Sequence, residues 1–141
     1  MRFAVVVSRF NEDVTGGLLA GARKFLAGKK VKLADSDIFY APGAFELPLI
    51  AKKLAAKKKY AGVICLGCVI KGDTMHFEFI SLAATMGILQ AGLETGKPVS
   101  FGVLTTMNDE QATVRSRDDA HNKGIEAAAA CWESARLLAS L

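Results

Sequence analysis

The chain has 141 residues, enough for one compact domain and too few for a second with its own core, so residues 1–141 read as a single domain. Hydrophobic residues make up 51% and charged residues 23%, which is enough apolar material to offset the entropy of ordering and excludes intrinsic disorder. The excess of 18 Lys and Arg over 14 Asp and Glu is mildly basic, and its lysine cluster (Lys52, Lys53, Lys57, Lys58, Lys59) lacks the interleaved Arg and aromatic residues of a nucleic-acid surface, so no nucleic-acid partner is expected.

Phe3 to Val7 is a continuous apolar, β-rich run bounded by Ser8-Arg9-Phe10-Asn11, the pattern of a strand buried on both faces. It is too short to be the core of a secretory signal, and the chain reads as cytoplasmic. Acidic Glu12 and Asp13 lead into Leu18, Leu19, Ala22, Phe25 and Leu26, a helical spacing that stops at Gly28. A second strand is predicted over Asp35 to Tyr40, ending at Pro42-Gly43. The next helix turns Leu47, Ile50, Ala51, Leu54 and Ala55 to the core and its lysines to solvent, with Pro48 in the first turn.

Ala61 to Ile70 is a fully apolar third strand. It holds Cys65 and Cys68, whose spacing inside a strand points them to opposite faces, so they read as buried small residues and not as a redox pair. Three cysteines in all, with no need for staples at this size, agree with a reducing compartment. A Gly-Asp-Thr turn then opens a long apolar helix from about His76 to Leu93. Its charge-free part, Phe79 to Leu93, contains Ser81, Thr85, Gln90 and two glycines and falls short of the ~20 apolar residues of a membrane span. No membrane partner is expected, and the positive mean hydropathy of +0.26 points instead to surface covered by protein. Val99 to Leu104 is a fourth strand, and Asn108 with Gln111 has capping-box spacing. A last helix, from about Asn122 to Leu138, is predicted to bury Ile125, Ala128, Ala129, Trp132 and Ala135.

Four alternations of strand and helix require right-handed crossovers and a parallel sheet covered on both faces, and such sheets bind ligands beyond the carboxyl ends of their strands. Those ends carry the residues with chemistry. Gly67 to Thr74 resembles a Walker A loop except that Asp73 stands where the lysine must be, which disfavours NTP hydrolysis. What is left is a turn that offers backbone N–H groups and the Thr74 hydroxyl to a phosphate monoester, or simply joins a strand to a helix. His76, two residues on, is of a residue type that can give or take a proton and could move one on a ligand held there. Glu46 at a helix start and Arg115, a bidentate phosphate gripper, are its candidate companions in one anion site. Phe10, in the loop after the first strand, suits stacking on a planar heterocycle, whereas Phe101 reads as core packing. Two histidines and few other ligand types leave no metal expected.

Ser8-Arg9-Phe10-Asn11, Gly43-Ala44-Phe45-Glu46-Leu47-Pro48, Gly67 to Thr74 with His76, Phe101-Gly102-Val103-Leu104-Thr105-Thr106, Glu110-Gln111-Ala112 with Arg115, and Asn122-Lys123-Gly124 occur in an order that resembles the 6,7-dimethyl-8-ribityllumazine synthases across nearly the whole chain. The resemblance implies a flavodoxin-like three-layer α-β-α sandwich on a four-stranded parallel sheet of order 2-1-3-4. It also implies condensation of 5-amino-6-(D-ribitylamino)uracil with 3,4-dihydroxy-2-butanone 4-phosphate without cofactor or metal. By the same likeness Phe10 stacks on the pyrimidine, Ala44, Phe45, Glu46, Cys68, Val69 and Ile70 hold its polar edge and ribityl chain, and Asp73, Thr74 and Arg115 bind the phosphate. His76 transfers protons, and Phe101, Arg115 and Lys123 come from a neighbouring subunit. A homopentamer or a multiple of pentamers is implied, with riboflavin synthase as a further partner.

Two stretches depart from the family pattern: Asp73 puts a carboxylate beside the expected phosphate, and Arg117-Asp118-Asp119-Ala120-His121 replaces a small, glycine-containing segment. Two readings without catalysis stand beside the enzyme: a flavodoxin-like module that holds a flavin or lumazine, and a shell-forming protein. Retention of every site residue argues against the second, and the Gly-Asp-Thr-x-His turn separates the chain from archaeal-type riboflavin synthases.

Overall fold

Six consecutive buried residues leave β1 (Phe3–Ser8) no solvent face, and in the computed structural model, which describes residues 1–141, β1 lies inside the sheet. After it come α1 (Glu12–Gly28), β2 (Ile38–Ala41), α2 (Leu47–Ala55), β3 (Gly62–Ile70), α3 (His76–Thr95), β4 (Val99–Thr106), α4 (Asp109–Val114) and α5 (Lys123–Ser140). All strand pairs are parallel and the order is β2-β1-β3-β4, the predicted architecture. Val5 pairs with both Ile38 and Ile64, and Cys68 pairs with Leu104.

The pleat divides the core in two. Phe3, Val5 and Val7 of β1, with Ile64, Leu66 and Cys68 of β3, pack against α1 and α5, whereas Ala4 and Val6, with Val63 and Cys65, pack against α2 and α3. Cys65 and Cys68 thus face opposite layers, as their spacing requires. Pro48 sits in the first turn of α2, and the Asn108 Oδ1 accepts the Gln111 N–H at 2.9 Å to cap α4. Gly96, at φ 68°, ends α3 in the left-handed conformation that a side chain would strain. No helix is long and apolar enough to cross a membrane.

The structure departs from the predicted strand ends and from one predicted helix face. The second strand begins at Ile38, because Asp35–Asp37 form a single 3₁₀ turn. β4 extends through Thr105 and Thr106, which pair with Val69 and Ile70. On α5 the fully buried face is Gly124, Ala127, Ala128, Cys131 and Ala135, while Ile125, Ala129 and Trp132 are half-buried at its margin. The cause is close helix packing: a Cβ on Gly124 would overlap the Leu18 carbonyl of α1, so only small residues fit between the two.

The 3₁₀ turn buries Asp37 against Arg2 and Tyr60. Arg2 Nη2 lies 2.8 Å from Asp37 Oδ1, and the Tyr60 hydroxyl donates to the same oxygen at 2.9 Å. Burial opposes the charge on Asp37, but the Arg2 and Tyr60 hydrogen bonds outweigh it and hold the carboxyl below the usual carboxylate range. A lowered carboxyl adds stability above the ordinary range of an unfolded aspartate, and that contribution disappears as pH falls through the folded value. Asp37→Ala leaves the buried Tyr60 hydroxyl unpaired and should cost about 2–3 kcal/mol at neutral pH, read by urea unfolding. Below about pH 4 the gap to wild type should narrow.

Candidate active site

The chain leaves β1 toward β2 on one side and later returns to β3 on the other, so the carboxyl ends of β1 and β3 border the crevice where open α/β sheets bind ligands. A cavity of about 370 Å³ lies there, and Phe10, Ala44, Phe45, Glu46, Cys68, Val69, Ile70 and His76 all line it. Phe10 is 67% exposed, so its ring is free to stack on a ligand. A Cβ on Gly43 would come within 3.0 Å of the Phe10 ring and 3.2 Å of Glu46 Oε1, and the missing side chain lets ring and carboxylate close in from two sides.

Asn11, Gly43 and Ile80 also line this cavity and were not singled out from sequence. Asn11 adopts φ 59°, ψ 54°, a conformation that asparagine tolerates better than most residues. Its Nδ2 donates to the Cys68 carbonyl at 3.1 Å, tying the Phe10 loop to the end of β3. Burial pushes the Cys68 thiol up to about 11 and that of Cys131 to about 12, and it raises Cys65 further. All three thiols therefore stay protonated near neutrality and serve as packing.

His76 opens α3 and is exposed, and its backbone N–H donates to Thr74 Oγ1 at 3.4 Å. Asp73 and Thr74 are exposed in the preceding turn and form no part of the cavity wall. Lys71 is engaged across the turn with Glu78, Nζ to Oε1 at 2.9 Å, a bond that holds the Glu78 carboxyl below its usual range.

The remaining candidates lie elsewhere. Phe101, Arg115 and Lys123 line a second cavity of about 260 Å³ beside β4 and the start of α5, together with Thr105, Thr106, His121 and Glu126. Arg115 follows α4 and spends one donor on the Gln111 carbonyl at 2.9 Å, while Lys123 Nζ meets Glu126 Oε1 at 2.9 Å. The wall is anchored by buried Asn122. Its Oδ1 accepts the Gly124 and Ile125 N–H groups at 2.8 and 3.2 Å, and its Nδ2 donates to the Gly17 and Arg117 carbonyls at 3.1 and 2.8 Å. All four hydrogen-bonding positions of that amide are used, which fixes the segment carrying Arg115 to Lys123 against α1. Phe101 is half-buried and edges both this cavity and the core.

Within one chain, therefore, His76 and Glu46 share a cavity and Arg115 lines a different one. The expectation that the three meet in one anion site does not hold inside a single protomer, because Glu46 and His76 line the cavity at the ends of β1 and β3 whereas Arg115 lines the one beside β4. Of the second set, Thr105 and Thr106 stand in the sequence only as part of the Phe101–Thr106 motif and His121 only as part of the departing Arg117–His121 stretch, and with Glu126 they carried no site assignment.

A doubly covered parallel sheet with one cavity lined by Phe10 and His76 at its switch point and another lined by Arg115 and Lys123 beside β4 is the architecture of α/β proteins that bind small molecules beyond their strand ends. Residues 1–139 match the sequence profile of the family described as 6,7-dimethyl-8-ribityllumazine synthase. The chain is also similar to 6,7-dimethyl-8-ribityllumazine synthase 1 of Caulobacter vibrioides, 62% identical over 137 residues that cover 97% of this chain and 90% of that protein. The chain belongs to the 6,7-dimethyl-8-ribityllumazine synthase family, transferases of riboflavin biosynthesis.

Proposed function

We propose that the chain condenses 5-amino-6-(D-ribitylamino)uracil with 3,4-dihydroxy-2-butanone 4-phosphate, giving 6,7-dimethyl-8-(D-ribityl)lumazine, phosphate and water, at a site completed by two copies of itself. Family membership supports the reaction. The observation that carries the shared site is the separation of the two cavities, one with a stacking ring and a histidine, the other with an arginine and a lysine.

In this reading Phe10 stacks on the pyrimidine while the walls from Ala44 to Glu46 and Cys68 to Ile70 hold its polar edge and ribityl chain. Arg115 and Lys123 of a neighbour, with the Asp73-Thr74 turn, hold the phosphate through charge and backbone N–H groups. The primary amine attacks the ketone and loses water to give an imine, phosphate leaves by elimination, and the ribityl-bearing nitrogen closes the ring with loss of a second water. His76 relays the protons these steps move. The substrates bring both the nucleophile and the leaving group, so juxtaposition supplies much of the acceleration.

The surface for assembly is on α3. Met75, Phe79, Leu82, Met86, Leu89 and Leu93 follow one another at steps of three and four residues and are 55–74% exposed. That is a heptad seam running the length of the helix and the turn before it, opposite the face where Ala84, Ile88 and Ala91 meet the sheet. Large apolar side chains gain about 1.5–3 kcal/mol each on full burial, which favours packing copies against one another along this stripe. The family resemblance supplies the copy number, a homopentamer or a multiple of it, working in the cytoplasm and passing the lumazine to riboflavin synthase. Mixing both substrates with the purified protein should produce the lumazine absorbance. Binding of the lumazine without its formation would instead favour a flavodoxin-like carrier.

A further inference from the structure

We infer that His121 is a second phosphate-contacting residue beside Arg115, binding in its protonated form and making affinity for the phosphorylated substrate depend on pH. The inference rests on the lumazine synthase reading of this cavity and deepens it.

Arg115 and His121 line the cavity beside β4, and the same two residues line an adjoining cavity of about 290 Å³ whose other walls are Val114, Arg117 and Asp119. Both residues thus border both spaces, so an anion gripped by Arg115 in either lies in a cavity that His121 also lines. The backbone of the segment is held firmly. The His121 N–H donates to Asp119 Oδ1 at 2.8 Å, the Asn122 N–H to the Asp119 carbonyl at 3.2 Å, and the Lys123 N–H to the Arg115 carbonyl at 2.8 Å. Next to it, buried Asn122 carries the four side-chain bonds described above. The His121 side chain itself is exposed.

The charges that face it are Arg115 from the end of α4, Arg117 and Asp119 from its own loop, and Lys123 and Glu126 from α5. Lys123 is neutralised by Glu126, and nearby Asp118 by Lys24 of α1 at 3.0 Å. Neither Arg115 nor Arg117 has a carboxylate within ion-pair distance, while Asp119 is occupied by the His121 backbone. An entering phosphate therefore meets the Arg115 guanidinium, with Arg117 lining the adjoining cavity, and its negative charge favours imidazolium over imidazole.

The test compares His121→Gln and His121→Arg with wild type at pH 6 and pH 8, reading the KM of each substrate. His121→Gln should raise KM for the butanone phosphate about tenfold at pH 6 and less than about twofold at pH 8, with KM for the pyrimidine amine unmoved. His121→Arg should keep KM for the butanone phosphate low at both pH values. Comparison at equal pH removes the titration of the substrate's own phosphate, which lies near pH 6. Calorimetric titration with inorganic phosphate, repeated in buffers of different ionisation enthalpy, should show proton uptake in wild type that is absent from His121→Gln. Coincident KM profiles for wild type and His121→Gln, or equal proton uptake, overturn the role of His121 alone. A wild-type protein that makes no lumazine overturns the catalytic reading, while the phosphate titration still decides whether His121 meets the anion.

Discussion

Arg115→Ala should raise the KM for the butanone phosphate about a hundredfold while leaving the KM for the pyrimidine amine within about twofold. Arg115 lines the cationic cavity and its side chain is tied inside the chain by one bond, to the Gln111 carbonyl, so most of its donor fork remains for a ligand. Removing it takes a charge-assisted, bidentate contact from a phosphate that Lys123, already paired with Glu126, cannot grip in the same way. Arg115→Lys should recover only part of the loss, because an ammonium replaces the charge but not the fork. Steady-state kinetics with each substrate varied in turn measures both effects. An unchanged KM for the butanone phosphate would remove Arg115 from the site.

The second large effect lies far from the reacting atoms. Leu82→Glu combined with Met86→Glu places two carboxylates in the middle of the exposed α3 seam, where they would have to be buried among apolar side chains of other copies. Both residues are more than half exposed in the isolated chain, so the fold of each protomer should survive with an unaltered far-ultraviolet circular dichroism spectrum. Light scattering should show monomers, and turnover should fall below about a hundredth of wild type, because the aromatic and cationic cavities are no longer held together. An assembly of wild-type mass would exclude α3 as the interface, and full activity in a monomer would exclude a shared site.

Much of this architecture is legible in the residues alone. β1 from Phe3 to Val7 and the whole of β3 are apolar and could only be central strands of a parallel sheet, and the fourfold alternation with helices leaves little choice of topology. Phe10 stood out because a large aromatic in a polar loop has nothing local to pack on, and it does line the cavity with most of its surface exposed. What could not be read depends on partners distant in sequence. Asp35–Asp37 look like the start of a strand until Arg2 and Tyr60 draw Asp37 inward and the backbone turns. On α5, Ile125 and Trp132 are the obvious core residues by hydropathy, yet the inner face goes to Gly124, Ala127 and Cys131 because α1 approaches closely at Leu18. Asn11 was visible only as the edge of a motif, since its bond to Cys68 spans 57 positions. The candidate site divided along the same line: residues within a strand-end loop were found together, while the distance between His76 and Arg115 could be learned only from the fold.

Mixing two variants shows whether one site is made by two chains. His76→Ala should lower kcat about tenfold to a hundredfold through loss of the proton relay, and Arg115→Ala is impaired in phosphate binding, so each assembly alone should be poorly active at low concentrations of the butanone phosphate. Dissociated together and reassembled at equal amounts, the two variants would create interfaces where the Arg115→Ala chain supplies an intact His76 and the His76→Ala chain an intact Arg115. A shared site predicts recovery of about a quarter of wild-type activity, the random-mixing share of fully native interfaces in a symmetric assembly. If each chain held a whole site, every site would keep one lesion, and activity no higher than the average of the two separate variants would contradict the account.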